Sequence, residues 1–468
     1  MTDAEFPESL RDAVRAPYWT DRADAPDRRP TLDDQFDCDL LVVGGGFTGL
    51  WTAWRALARD PNRSIAIVDT EAIGFGASGR NGGFVSASLT HGLAHGEALW
   101  PRDMAAITQE GRANLEAMEA DLATGGVECG FSMVGKTTLA VEPWHLPHLA
   151  IAHELAVRHG EEAELQDRDQ VQADVHSPSY LAGLRVRTGN ALVDPARMAW
   201  GMAAHLETRG VQIFEGSRVA SLRRSRGGVE SLQSDGSRAR ARQVVVATAA
   251  YRSPLRRLGG YVMPLYDHVL MTEPLTPEQR ASLGWAERQG LTDAGNQFHY
   301  YRLTDDDRIL WGGWDAVYHR GGRVDHALEY AGGSHALLAR QFRETFPQLR
   351  DVRFSHMWAG PIDSTTRFTA AYGTALGGSV AYAIGHTGLG VGASRFSADV
   401  ALDMLDRADT DRLRYGIVRR RPMPIPPEPF RNPIIQFTRR SIIAADAHQG
   451  RRNLWLRTLD RFGLGFNS

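Results

Sequence analysis

The apolar run Asp39-Leu40-Leu41-Val42-Val43 enters Gly44-Gly45-Gly46-Phe47-Thr48-Gly49 and then the helix-periodic stretch LWTAWRALARD. A second run, Ser64-Ile65-Ala66-Ile67-Val68, ends in Asp69. Strand, glycine turn, helix and strand make a βαβ unit, which commits this part of the chain to a buried parallel sheet. Gly44 permits the tight turn, Gly46 lets backbone approach a pyrophosphate, and Gly49 lets the helix close on the strand. Among 48 glycines a GxGxxG pattern says little by itself. The flanking strand and helix, with an acid twenty residues beyond Gly49, turn it into a dinucleotide site. The helix N-terminus offers donors and partial positive charge to phosphates. Asp69 can accept from a ribose diol, and its charge disfavours a 2'-phosphate.

The chain has 468 residues, 43% hydrophobic and 23% charged, as in globular proteins of two or three domains. A formal net charge of -3 gives no global field to attract nucleic acid or an acidic membrane. Of 53 basic residues a single one is lysine, Lys136, so any lysine chemistry has one candidate. Cys38 and Cys129 form no CxxC pair and build neither a disulfide framework nor a zinc site; they read as apolar fillers of a reduced protein, and no metal is expected. The segment MTDAEFPESLRDAVRAPYW lacks the basic start and apolar core of a signal peptide, and no run reaches the roughly 18 apolar residues that span a bilayer. The expected location is the cytoplasm.

The expected architecture is mixed α/β, a Rossmann-type domain interleaved with an antiparallel-sheet substrate domain. Residues 1–36, rich in Pro, Asp and Arg, read as a surface arm. ARMAWGMAAHLETRG reads as a helix, VQIFEG and SRVASLRR as strands, and RQVVVATAA as a buried strand returning to the first sheet. YVMPLYDHVLMTEPL and NQFHYYRLTDDDRILWGGWD, rich in aromatic and β-branched residues, read as antiparallel strands. VAYAIGHTGLGVGASRFSADVALDML restores the order strand, glycine turn, helix. The dinucleotide domain is expected at 37–130, 180–258 and 355–410, the substrate domain at 131–179 and 259–354, and a basic Pro-rich tail at 411–468.

A glycine-dense loop, Gly74-Phe75-Gly76-Ala77-Ser78-Gly79-Arg80-Asn81-Gly82-Gly83, follows the second strand closely and lets backbone run along an extended cofactor. Taken with VVGGGFTGL, IVDT, VVVATAAY, WAGPIDST and IGHTGLGVG, the chain resembles the D-amino-acid oxidase-like FAD-dependent oxidoreductases from about residue 18 to about 410. More narrowly it is similar to the gamma-glutamylputrescine and aminophosphonate oxidoreductase branch. The resemblance implies FAD. Gly44, Gly46, Gly49, Asp69 and Thr70 would take the adenosine half, and Phe47, Thr48, Ala77 and Ser78 the pyrophosphate. Arg80, Asn81, Gly82 and Gly83 would pass the flavin, Val219 the adenine, and Thr248 and Ala249 the dinucleotide. Gly385, His386, Thr387, Gly388, Leu389 and Gly390 would form a second flavin contact. Neither a Cys nor a His stands in the GASGRNGG loop, so FAD is expected to be non-covalent.

Flavin carries the hard step, so the protein needs to bind and orient a C–H donor. The resemblance implies an amine substrate, oxidised by hydride transfer to flavin N5 to an imine that hydrolyses. The amine expected is primary or secondary, gamma-glutamylputrescine-like, with a polar or anionic distal group; an aminophosphonate oxidoreductase, a glycine- or sarcosine-type amino-acid oxidase and a partner-coupled redox flavoprotein are the alternatives, and O2 or another acceptor takes the electrons. Tyr301, Trp358 and His386 are the candidates for the reaction centre, and Tyr300, Arg302, Trp311 and Asp363 for substrate binding. Phe298, His299, Trp314 and Tyr318 would help to roof the site, with Asp315 a second acid. Where amino-acid oxidases of the family carry an arginine for the substrate carboxylate, this chain reads Ala359-Gly360-Pro361. Where sarcosine oxidases carry an oxygen-activating lysine, on a strand like Ile309–Gly313, it has none. The tail, with seven arginines and two aspartates over 431–468, is expected to pack its apolar stripe on the chain's own body, with a membrane or a partner as the other reading.

Overall fold

The computed structural model describes residues 7–464. Strand Gln35–Val43 alternates exposed and buried residues at its outer end and is wholly buried at its inner end, as a central strand covered on both faces must be. It pairs in parallel with Ile65–Val68 on one side and Arg238–Val246 on the other. Gln212–Phe214 extends the sheet beyond Ile65–Val68, and Val380–Ile384 beyond Arg238–Val246, both in parallel. Ala371–Ala375 closes that edge antiparallel. Helix Phe47–Arg59 buries Leu50, Trp51, Trp54 and Leu57 beside helices Pro195–Thr208 and Gly390–Asp406. Each such side chain contributes about 1.5–3 kcal/mol through burial.

The second sheet runs in the order Phe354–Ser364, Met263–Thr272, Ile309–Gly313, His299–Leu303, Gly290–Asp293, Lys136–Ala140, Ala182–Val186, Ala163–Gln166. Every pairing in it is antiparallel except Gly290–Asp293 with Lys136–Ala140. Its outer face packs an aromatic core, Trp285, Tyr301, Trp311, Phe342 and Phe346, under helix Ser334–Thr345. Its inner face looks towards the dinucleotide domain. Two expected boundaries move: Ala182–Val186 and Phe354–Ser364, assigned by sequence to the first domain, hydrogen-bond into this second sheet. Each is a half-apolar strand whose sheet membership depends on partners far away in the chain.

Of the expected arm, residues 1–6 lie outside the described region, and the rest is anchored: Leu10, Trp19 and Leu32 are buried, and Val14 bridges to His356. The tail forms helices Arg431–Ala447 and Leu454–Arg461, which pack on the chain's own body through Asp446 to Asn296 and Gln297 and an Arg439–Asp315 ion pair. Residues 465–468 lie outside the described region. Among the described residues no helix is long and apolar enough to cross a membrane.

Candidate cofactor and substrate site

A cavity of about 1000 Å³ starts at Gly46, Phe47 and Thr48, runs past Ala77, Ser78 and Arg80–Gly82, and reaches His386–Gly390. At its start the backbone replaces side chains. A Cβ on Gly49 would fall inside the Gly44 carbonyl, and one on Gly46 would lie 2.9 Å from Ser78 Oγ. The Phe47 N–H donates to Ser78 Oγ at 2.9 Å. The Asp69 carboxylate accepts from the N–H groups of Gly45 (2.5 Å) and Glu71 (2.8 Å), and burial pushes it up to about 6. The Thr248 hydroxyl is buried with no partner in the described structure, beside Ala247 and Ala249, which line the cavity. A glycine cradle at a helix N-terminus, an acid at the end of the next strand and an orphaned hydroxyl fit an adenine dinucleotide. Thr70 is exposed, and Val219 is sunk in the apolar core, away from the cavity lining.

The Gly74–Gly83 loop is clamped from several sides. Arg80 donates to the carbonyls of Phe75 (2.9 Å) and Ala359 (3.0 Å) and pairs with buried Glu329 at 2.7 Å. The Trp358 indole donates to the Arg80 carbonyl (2.8 Å), and that of Trp19 to Asn81 (2.9 Å). Arg302 donates to the Val193 carbonyl (2.7 Å), while the Val193 N–H donates to that of Gly83 (2.9 Å). Trp358 and Arg302 therefore buttress this loop and do not line the cavity, because their donors are spent on backbone. The late turn has its own clamp. The Gly385 N–H donates to Asp363 Oδ2 at 2.6 Å, and the Thr387 N–H donates to the Asp363 carbonyl at 3.1 Å. His386 Nε2 lies 3.1 Å from Ser397 Oγ and 3.5 Å from Thr48 Oγ1, tying the late turn to the first helix. Asp363 and His386 do line the cavity.

Period-two alternation sorts the aromatic strands. Tyr300 faces the cavity, whereas Tyr301 and Trp311 face the opposite way into the aromatic core, each fully buried. The Tyr301 hydroxyl meets that of Tyr180 at 2.9 Å, and Trp311 stacks on His299. The expected places for Tyr301 at the reaction centre and Trp311 at the substrate are thus corrected by one residue of register. Phe298 and Trp314 line the cavity; His299 and Tyr318 do not. Asp315 is taken up by Ser334 and Arg439.

An acid that sequence reasoning missed stands opposite Tyr300. The Tyr300 hydroxyl donates to Asp267 Oδ2 at 2.5 Å, and both residues line the cavity. Burial pushes Asp267 up to about 6, with the Tyr300 hydrogen bond pulling the other way. Its signal was a lone acid inside the apolar strand Met263–Thr272, on the same face as Leu265 and Val269. The far side of the cavity is lined by the tail, through Met423, Ile425, Ile434, Ile435, Thr438 and Ile442.

This geometry, a Rossmann-type cradle opening under an antiparallel sheet, defines a dinucleotide-dependent enzyme. The family described as FAD dependent oxidoreductase (DAO) matches residues 39–404. The chain belongs to that family, is an oxidoreductase, and takes FAD as its cofactor. It is 28% identical over 389 residues to gamma-glutamylputrescine oxidoreductase of Escherichia coli, covering 82% of this chain and 86% of that one. It is 25% identical over 406 residues to a probable oxidoreductase, OrdL, of Haemophilus influenzae, covering 85% and 89%. Among solved structures, glycine oxidase from Geobacillus kaustophilus superposes with a TM-score of 0.66 at 20% identity, covering 80% of this chain and 96% of that one. Fructosyl amine:oxygen oxidoreductase from Aspergillus fumigatus gives 0.65 at 17%, covering 84% and 91%. At these identities the structural likeness shows the fold.

Proposed function

We propose that the protein oxidises a primary or secondary amine of the gamma-glutamylputrescine kind to an imine, which water then hydrolyses to an aldehyde. The observation that carries this reading is the Asp267–Tyr300 pair, a carboxylate and its hydroxyl donor walled into the cavity beside the Arg80–Gly82 loop. FAD, when bound, supplies the two-electron acceptor for the hydride leaving the amine carbon.

An ammonium has no lone pair to expel hydride, so the substrate must lose a proton first. Asp267 is placed to take that proton, and a carboxylate pushed up to about 6 is a better base at neutral pH than an ordinary one. Tyr300 holds the carboxylate in one orientation, and its ring lies over Gly82, where a Cβ would come within 2.7 Å of it. The apolar tail residues across the cavity lower the polarity of that wall and favour the neutral amine. Phe47, Thr48 and Ser78 stand ready for the pyrophosphate, and Asp69 for a ribose; without Cys or His in the loop, attachment is non-covalent. His386 and Asp363 act as positioning residues that fix the late turn at the start of helix Gly390–Asp406.

The sequence similarity to gamma-glutamylputrescine oxidoreductase supports the substrate class. Incubation with gamma-glutamylputrescine under air should yield aldehyde and consume one amine per aldehyde formed. Aminoethylphosphonate, glycine and sarcosine should be slower. Turnover of glycine or sarcosine ahead of the distal-chain amines would overturn the reading.

A further inference from the structure

Lys136 opens strand Lys136–Ala140, pairing with Gly290 on one side and Val186 on the other. Thr137 and Leu139 point into the buried core, while Lys136 and Thr138 line the cavity. Among the described residues its ammonium makes no hydrogen bond and no ion pair within 4 Å. Burial favours its neutral form, and Glu161, which also lines the cavity, is the acid whose field opposes that. Two other basic groups line the same sector: Arg112, already donating to the His159 carbonyl, and His91, near enough to feel the lysine's charge and hydrogen-bonded to Thr387 of the late turn.

Lys136 is half-buried on the cavity wall, and an ammonium there with no close partner is available to an anion that enters the cavity. Everywhere else among 53 basic positions this chain uses arginine. A compact, strongly hydrated point charge on a flexible stem differs from a planar fork chiefly in what it can receive. We propose that Lys136 receives an anionic group on the substrate's far end, so that the preferred substrate carries its acid several carbons from the amine that is oxidised. This rests on the reading of Asp267 and Tyr300 as the amine site.

The sheet sets the span. Tyr300 lies opposite Thr292, Thr292 lies opposite Thr138, and Lys136 is two residues further along the same strand. Two strand spacings and two residue steps put the Lys136 and Tyr300 α carbons about 12 Å apart. Tyr300 leans over Gly312 to Asp267, away from the Lys136 strand, so an α-amino acid, whose carboxylate and amine share one carbon, spans the two ends less well than a longer amine, and the Ala359-Gly360-Pro361 segment offers it no cation nearer to Tyr300. An ω-amino acid is such an amine, with its carboxylate at the far end. The floor between the two ends suits an alkyl chain: Phe84 lies over Gly290 and packs edge-on against Tyr300 at 5.8 Å.

The test compares δ-aminovalerate and ε-aminocaproate with pentylamine and hexylamine in anaerobic flavin reduction by wild type, Lys136→Met and Lys136→Arg. Lys136→Met should raise the half-saturating concentration of the amino acids about tenfold or more. It should leave their limiting rate and both values for the alkylamines within about twofold, with Lys136→Arg in between. Binding is read separately with glutarate, an unreactive diacid, whose perturbation of the flavin spectrum should weaken by a similar factor in Lys136→Met. Equal weakening for amino acids and alkylamines, or no change for either, would overturn the assignment. If no amine bleaches the flavin while glutarate still depends on Lys136, the amine reading fails and the anion site stands.

Discussion

Tyr300 reaches Asp267 by lying across Gly312, whose missing side chain leaves bare backbone on the strand between theirs. A Cβ at Gly312 would come 2.7 Å from the Tyr300 ring carbon and hydroxyl, so the ring would have to move. Gly312→Ala should therefore keep FAD and slow amine-dependent flavin reduction by about 100-fold, the cost of an ångström-scale misplacement. Stopped-flow absorbance checks this; an unchanged rate would mean the pair is idle in the reaction.

The same pair sets a pH dependence. With Asp267 pushed up to about 6, its basic form is lost as pH falls, so the limiting reduction rate should drop through about pH 6. Tyr300→Phe removes a hydrogen bond that favours the carboxylate, and should move that limb to higher pH. Asp267→Asn should abolish the limb and lower the rate by about 10²–10⁴. Because a raised carboxyl pKa makes the ionised group a cost to folding above it, Asp267→Asn should also raise Tm at neutral pH relative to pH 4. A pH–rate profile beside a thermal melt reads both signs.

On the proposal that Asp69, which holds the Gly45 turn, also takes the ribose, Asp69→Ala should weaken FAD retention about tenfold or more, with activity restored by excess FAD. Equilibrium dialysis of the variant decides it. Retention equal to wild type would assign Asp69 to holding the Gly45 turn alone.

Trp311→Ala should cost about 3–5 kcal/mol by opening a cavity among Tyr301, Phe342 and Phe346, whereas Tyr300→Phe should cost less, about 1–3 kcal/mol, by taking the donor away from Asp267. This contrast marks where the sequence was legible. The βαβ unit, Asp69, the Gly74–Gly83 loop and the late turn were readable because each is a local pattern with a backbone reason. Tyr300 against Tyr301 was not, since adjacent aromatics carry no sign of which face is the core until both neighbouring strands are placed. Asp267 was overlooked for the same cause: its partner lies 33 residues away. Residues 182–186 and 355–364 fell within the expected dinucleotide domain, though they pair into the second sheet, because that pairing is long-range.

The tail lies beyond the 39–404 family match and lines the cavity with Ile434, Ile435, Thr438 and Ile442. A chain ending at Arg420 should keep FAD but expose it, so iodide should quench the flavin fluorescence more strongly than in the full chain. Equal quenching would place the shielding elsewhere.

An amine held by Asp267 and Tyr300 should deliver its electrons to FAD in this cavity. The most direct measurement is the visible flavin spectrum under anaerobic conditions before and after gamma-glutamylputrescine, in wild type and in Asp267→Asn with matched FAD content. Bleaching in wild type, slowed at least 100-fold in the variant, is the predicted result. Bleaching at the same rate in both, or in neither, would contradict it.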